Sequence, residues 1–445
     1  MSAFNEWLRL RVVLPIAEKI KGTNSTYWLK QIEKMSKWTP EQVQTWQADR
    51  LHELMEHVYN HTIYYRRIMD ERGLKPDDIR SAEDLKKLPI ITKQIAREHF
   101  NEIVPDNISS LHYREGKTGG TTGEPMFYYC DENTWGYVTA TKVYHWRKYG
   151  YEYGEPFAAM GSASLFAKKP SLVRRIYDRL RNEIPMNTVN LTDELCEKYI
   201  QIIRERRIRY IYGYAASIYI FTQYVASHGI DLKQIKGVFT TSEMLTDENR
   251  ELIKRTYDCV VMDCYGARDA GMNAYEHAYH EYEVGYNVLV ETTNEFEPNT
   301  GTLLTTNLLN YTFPLIRYQF GDDAELAPRN ESKGYNGQLL NRVLGRTSDV
   351  MRLENGHNMT ATGFSMIMKA FDVKAFSFNK TGVNEMTLTI ERDKEKYSEA
   401  QEKEIKKTIY LYIGEDAKLN IEYIDHFEPL KNGKRRYFMN DLTSK

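Results

Sequence analysis

From about residue 155, short apolar runs alternate with stretches of helical spacing. Phe157-Ala158-Ala159-Met160, Tyr210-Ile211-Tyr212-Gly213, Gly237-Val238-Phe239-Thr240 and Val260-Val261-Met262 read as buried strands. Helical patterns near 193–206, 215–228 and 247–256 separate them. Runs without polar alternation mark strands covered on both faces, so this part reads as α/β. Upstream, residues from about 27 to 103 read mostly as helices. Thr39-Pro40-Glu41 is a helix start, with threonine as cap and proline in the first turn. The stretch through Tyr59 then places Leu51, Leu54, Met55 and Val58 on one face. Downstream, Tyr286–Glu291 and Thr302–Thr306 read as a hairpin turning through Pro298-Asn299-Thr300-Gly301. After a boundary near Gly345-Arg346, strands at about 373–379 and 385–391, a helix at about 398–413 and a strand at about 419–424 suffice for a small α+β domain. The expectation is a large domain over 1–344 and a smaller one over 345–445.

Composition narrows the class. At 445 residues the chain exceeds one ordinary core, and 41% apolar with 27% charged residues is a globular balance. Lysine plus arginine (60) nearly equals aspartate plus glutamate (62), which gives no reason to propose a nucleic-acid partner. No apolar run reaches the length of a transmembrane helix. Near the N-terminus, Trp7, Leu8, Leu10, Val12, Val13 and Ile16 with Arg9, Arg11, Lys19 and Lys21 suggest a helix on a membrane surface or, as preferred here, one packed on the protein's own body. Arg9 and Arg11 interrupt any signal-peptide core. Cys130, Cys196, Cys259 and Cys264 form no C-x-x-C pair; Cys259, Cys264, His277 and His280 offer sulfur and nitrogen ligands for zinc, at a spacing that matches no standard site. The expected compartment is the cytoplasm.

The most informative segment is Thr118-Gly119-Gly120-Thr121-Thr122-Gly123-Glu124-Pro125. Glycines bring the backbone close to a ligand, and threonine hydroxyls beside exposed N–H groups suit an anionic oxygen. A P-loop is excluded, because Leu111 stands where its first glycine belongs. A flexible surface turn is the alternative. Further along come Thr241-Ser242-Glu243, Asp263-Cys264-Tyr265-Gly266-Ala267-Arg268-Asp269, Pro314 to Asp322, Gly345-Arg346-Thr347-Ser348-Asp349 and Lys431-Asn432-Gly433-Lys434-Arg435. In order and spacing the set resembles the motifs of the adenylate-forming superfamily of acyl-CoA synthetases, luciferases and adenylation domains. Pro314 to Tyr318, and the early run Glu83 to Lys93, resemble its phenylacetate–CoA ligase-like branch, which includes proteins of capsular polysaccharide gene clusters.

The resemblance implies an α/β fold with a large N-terminal domain of mixed sheets and helices and a small mobile α+β C-terminal domain. It implies activation of a carboxylic acid by ATP as acyl-AMP, with Mg²⁺, and transfer to coenzyme A, to an amine or hydroxyl of a sugar, or to an amino acid. Thr118, Gly119, Gly120, Thr121, Thr122 and Gly123 would hold the phosphates. Tyr265-Gly266 would stack on adenine, with Ser242-Glu243 on its other side, and Asp322 would bind the ribose hydroxyls. Arg346 would contact ribose or phosphate, Asp349 would be the hinge, and Lys434 the catalytic lysine. Tyr212, Gly213 and Tyr214 would line the acyl pocket, or else form ordinary core. Two departures stand out. Met126 replaces a lysine found in many relatives, and Asp269 replaces the metal-holding glutamate with a carboxylate one methylene shorter. Arg268 reads either as an anion contact or as half of a surface ion pair. Gly321-Asp322-Asp323 has turn chemistry as its alternative. Two other readings remain: a non-catalytic nucleotide-binding relative, and an adenylyltransferase that leaves AMP on its product.

Overall fold

The computed structural model describes residues 12–118, 126–161, 180–188, 191–243, 245–293, 299–328, 334–345, 350–352, 358–360, 364, 368, 371, 373–392, 397–425 and 438–440. Helices come first among the described residues: α1 (Leu14–Lys21), α2 (Ser25–Met35), α3 (Pro40–His61) and α4 (Ile63–Glu71). The start of α3 is a capping box, in which Gln42 N–H donates to Thr39 Oγ1 and Thr39 N–H to Gln42 Oε1. Leu51, Leu54, Met55 and Val58 of α3 are all buried, as their spacing requires. At α1 the expected packing is only partly met. Leu14 and Glu18 are buried, but Val12, Val13 and Ile16 are 37, 39 and 56% exposed. The apolar pattern there had no single face, and Glu18 takes an inward position because Thr26 and Tyr153 donate to its carboxylate.

One large sheet forms the body. Its parallel part runs β5 (Glu183–Asn187), β4 (Phe157–Gly161), β6 (Tyr210–Tyr214), β7 (Gly237–Thr241) and β8 (Val260–Ala267). All five residues of β4 are buried, which explains its unbroken apolar run. Helices α6 (Asp193–Glu205), α7 (Ala215–Ser227) and α8 (Asp247–Tyr257) pack an aliphatic core on one face. On the other face α5 (Glu132–Arg147) covers an aromatic core that includes Tyr137, Trp146, Phe157, Tyr210 and Phe239.

The sheet then continues antiparallel through β9 (Met272–Ala278), β10 (Glu281–Val284), β14 (Leu339–Gly345), β13 (Tyr318–Leu326), β12 (Thr300–Asn307) and β11 (Val288–Thr292). The expected hairpin is β11–β12, paired Val288↔Asn307 to Thr292↔Leu303. Strands β9 and β10 were not legible in the sequence, because their polar and aromatic positions lack regular alternation. A short hairpin, β2 (Tyr113–Lys117) and β3 (Phe127–Asp131), and the two-residue β1 (Ile91–Thr92) complete this part. Beyond the small pair β15 (Val350–Arg352) and β16 (Asn358–Thr360), a four-stranded sheet forms. It is ordered β19 (Lys418–Ile424), β18 (Glu385–Arg392), β17 (Val373–Gly382) and β20 (Phe438–Asn440). With α9 (Glu399–Ile413) it encloses its own core around Phe378, Leu388, Ile390, Ile405 and Ile409. The architecture is α/β with a large mixed sheet and a separate small α+β unit.

Candidate functional site

The parallel strands deliver their C-terminal ends to one edge, the place where open α/β sheets bind ligands. Tyr214, Thr241-Ser242-Glu243 and Tyr265 stand at or near these ends. Tyr265 donates from its hydroxyl to Asp322 Oδ2 at 3.0 Å across 57 residues of sequence. Both side chains are half-buried. The turn alternative for Asp322 is overturned. Gly321, Asp322 and Asp323 lie inside β13, and Asp323 pairs with Thr302 on one side and Gly345 on the other. Gly321 has φ 98°, a value open chiefly to glycine, and occupies an exposed position just before Asp322. Tyr265-Gly266 likewise belongs to β8, paired with Ala274 and Asn273, rather than to a loop.

Beneath Tyr265, β8 is braced by a polar network. Asp263 accepts from Thr240 Oγ1 at 2.6 Å and Tyr282 Oη at 2.8 Å, and burial raises its pKa. Arg250 donates twice to Glu276, at 2.8 and 2.9 Å, and Glu276 also accepts from the Asp263 backbone. Asp263 is therefore a strut of the motif and not a ligand group.

Asp269 is held from the opposite side. Tyr318 Oη donates to its Oδ2 at 2.8 Å and lies 3.9 Å from Met126 Sδ. Met126 is fully buried, which gives a physical reason for its departure from the lysine pattern, since a buried cation there would need a counter-ion. Thr118 N–H donates to the Met126 carbonyl and Met126 N–H to Thr118 Oγ1, both at 2.9 Å. These two bonds close the base of the loop that joins β2 to β3. The loop residues Gly119, Gly120, Thr121, Thr122 and Gly123 lie outside the described residues, as do Arg346, Asp349 and Lys434.

Ser242 is exposed with φ 70°, an uncommon left-handed conformation for serine, and turns the chain at the end of β7. Glu243 Oε2 accepts from the Ala216 N–H at 2.9 Å, in the first turn of α7. Burial pushes its carboxyl up to about 7, against the lowering effect of that bond. Its carboxylate thus ties the loop after β7 to the helix after β6. Of the expected acyl-pocket residues, Gly213 is fixed by packing. A Cβ there would sit 1.9 Å from the Met160 carbonyl of β4. Tyr214 is buried, and Tyr212 faces the aromatic core under α5.

The two runs that single out the branch form one structural unit. Ile91 and Thr92 pair in parallel with Tyr318 and Gln319, and Ile91 N–H donates to the Arg317 carbonyl. Arg317, at φ 52°, donates from its guanidinium to both Glu291 oxygens (3.0 and 3.2 Å) and to the Leu88 carbonyl at 2.7 Å. Buried Tyr65 donates to the Pro314 carbonyl at 2.8 Å and accepts from Ile316 N–H at 3.1 Å. The clamp sets where β13 begins, and hence where Asp322 stands.

The hold of Tyr318 on Asp269 has no local signal in the sequence. Lys142, Arg181 and Trp135 were also missed. Arg268 lies 5.7 Å over the Trp135 ring and makes no ion pair among the described residues. No cluster of three or more His, Cys, Asp or Glu side chains suited to a metal occurs among the described residues, Cys259, Cys264, His277 and His280 included.

No family model matches the chain. It is 22% identical to Protein CapK of Staphylococcus aureus over 403 residues, covering 89% of each chain. It is 22% identical to the phenylacetate-coenzyme A ligase of Pseudomonas putida, covering 84% of this chain and 89% of the relative. Among solved structures, 2-hydroxyisobutyryl-CoA ligase in complex with 2-HIB-AMP and CoA superposes with a TM-score of 0.58 at 15% identity, covering 91% of each chain. That likeness supports the fold.

Proposed function

We propose that this chain, which belongs to the adenylate-forming superfamily in its phenylacetate–CoA ligase-like branch, activates a carboxylic acid with ATP as its acyl-AMP and passes the acyl group to coenzyme A. The observation that carries the reading is the Tyr265–Asp322 bond. An aromatic ring and a carboxylate, far apart in sequence, meet at the strand ends where a nucleoside would stack and present its ribose hydroxyls. A carboxylate oxygen of the acid attacks the α-phosphorus, the bond to the bridging oxygen breaks, and pyrophosphate leaves. The thiol sulfur then attacks the acyl carbon, the thiol proton is lost, and AMP departs with the electron pair of the broken bond.

Asp322 holds the ribose by accepting two hydrogen bonds, and Tyr265 stacks on the base. Ser242 and Glu243 shape the other side of the base, with Glu243 acting through its tie to α7. Thr118 anchors the loop over Gly119 to Gly123 that receives the phosphates. Arg346, hinge Asp349 and Lys434 complete the site from a lid over 345–445, a division supported by the separate sheet and core of that region. Tyr212, Gly213 and Tyr214 border the acyl group. Mg²⁺ fits the donor set, since it takes one or two carboxylates plus phosphate oxygens and water, and Asp269 supplies a half-buried carboxylate. Bound there, it would neutralise charge on the phosphates. The cytoplasm supplies ATP and coenzyme A, and among the described residues no helix is long and apolar enough to cross a membrane.

The likeness to Protein CapK and to proteins of capsular polysaccharide clusters favours a second acceptor reading, an amine or hydroxyl on a sugar. Pyrophosphate exchange into ATP with aryl, fatty, amino and uronic acids tests the first half-reaction. Acid-dependent exchange is expected, and ATP binding without exchange by any acid would return the choice to a non-catalytic relative. Product mass after addition of coenzyme A or an acceptor sugar separates acyl transfer from retention of AMP. Tyr318→Phe removes the donor that orients Asp269. We expect about a tenfold rise in the Mg²⁺ needed for half-maximal exchange, with little change in thermal stability. An unchanged Mg²⁺ requirement would detach Asp269 from the metal.

A further inference from the structure

A lysine stands inside the aromatic core beside the site. Lys142, on α5, is half-buried, and its Nζ lies 4.7 Å from the Tyr212 ring centroid, 5.0 Å from Trp146 and 5.5 Å from Phe157. Such a box stabilises a cation through the ring faces, but it offers no acceptor to the three ammonium N–H groups. Among the described residues Lys142 makes no hydrogen bond and no ion pair. The nearby charges compensate it only in part, through Glu183. Arg181 and Arg268 both act on Lys142 as like charges, and the carboxylate of Glu183 is paired with Arg181 at 3.2 Å. Burial first and Arg181 next pull the Lys142 pKa down to about 8, against the opposing effect of Glu183.

A methionine or leucine would fill this place without the cost of desolvating a charge. Among the described residues no carboxylate pairs directly with Lys142, since Glu183 is engaged by Arg181. Tyr212, one wall of the box, lies on β6 two residues before Tyr214, where the strand ends at the ligand edge.

We propose that the acid substrate carries a second anionic group, remote from the carboxylate that is activated, and that Lys142 receives it within the box of Trp146, Phe157 and Tyr212. The inference rests on the acid-activating reading above and narrows its substrate class to acids with a distal carboxylate, sulfate or sulfonate. Lys142 would then decide specificity without touching the reacting atoms. The rings exclude water around the pair, which strengthens it relative to a surface contact. An acid with only an apolar tail would leave the ammonium buried without a partner, and discrimination against it should be large.

The test uses matched acids in pyrophosphate exchange: phenylacetate against 4-carboxyphenylacetate, hexanoate against adipate, and 4-methylbenzoate against 4-sulfobenzoate. The full chain, Lys142→Met and Lys142→Arg are compared, with calorimetric titration of the same acids and a thermal melt for each protein. The charged member of at least one pair should be favoured about tenfold or more in kcat/KM, mainly through KM. Lys142→Met should lose or reverse that preference while keeping its exchange with the uncharged member, and Lys142→Arg should retain part of it. Preference for the uncharged member, or an equal loss on both members in Lys142→Met, would overturn the proposal. Titration separates the two levels of inference. Diacid binding that Lys142→Met abolishes, without exchange by any acid, supports the subsite and counts against adenylation. Neither binding nor exchange overturns both.

Discussion

Replacing Asp322 with alanine is expected to reduce acid-dependent pyrophosphate exchange by about two to four orders of magnitude. The estimate follows from two charge-assisted hydrogen bonds to the ribose hydroxyls, each contributing about 1.5–3 kcal/mol. Most of the loss should fall on the KM for ATP if ground-state binding dominates, and on kcat if ribose placement aligns the α-phosphate. The fold should tolerate the change, because Asp322 is half-buried at the ligand edge rather than packed in the core. Tyr265→Phe serves as the partner control. It keeps the ring for stacking and removes the hydroxyl that orients Asp322, so a smaller loss, about tenfold or less, is expected. Near-native exchange in Asp322→Ala would mean that the strand-end pair does not hold the nucleoside.

The second large effect is on stability. Arg317→Met should destabilise the part of the chain built on the large sheet by about 3–5 kcal/mol, the usual cost of breaking a buried ion pair by removing one partner. The side chains of Arg317 and Glu291 are only 13 and 10% exposed, so neither charge is well solvated. Without Arg317, Glu291 is left buried, its pKa already raised by burial, and the Leu88 carbonyl loses a donor at 2.7 Å. Urea unfolding followed by tryptophan fluorescence would measure the loss. Arg317→Met with Glu291→Leu should recover much of it, since an apolar pair of similar volume has no charge to desolvate. A single-variant loss below about 1 kcal/mol would show that the clamp between the Leu88 segment and β13 is dispensable. Exchange activity should follow the folded fraction, because Arg317 sets the start of the strand that carries Asp322.

Much of the fold was legible because its signals are local. The β4, β6, β7 and β8 strands announced themselves as apolar runs, and α3 by its cap and its stripe of Leu51, Leu54, Met55 and Val58. The small α+β unit came through at nearly the observed bounds, since β17, β18, α9 and β19 each carry a clean period. Strands β9 and β10 escaped because Glu276, Glu283 and Tyr282 are buried as partners of a polar network, which reverses the usual sign of the pattern. The α1 region escaped in the opposite way, with apolar Val12, Val13 and Ile16 exposed while Glu18 is buried.

The sequence by itself determined most of the order of elements, the α/β class and the chemistry-bearing residue types, including Asp322, Tyr265, Asp269 and the glycine-threonine loop. Those properties depend on neighbours within a turn or a strand. Only the tertiary structure decided which residues meet. Tyr265 reaches Asp322 across 57 positions, Tyr318 reaches Asp269 across 49, and Arg317 reaches the Leu88 carbonyl across 229. Strand order and register set these contacts, and neither leaves a periodic trace in the chain. The box around Lys142 has the same origin. Its walls come from a helix and two strands, Trp146 from α5, Phe157 from β4 and Tyr212 from β6, and burial there is a property of the assembled sheet.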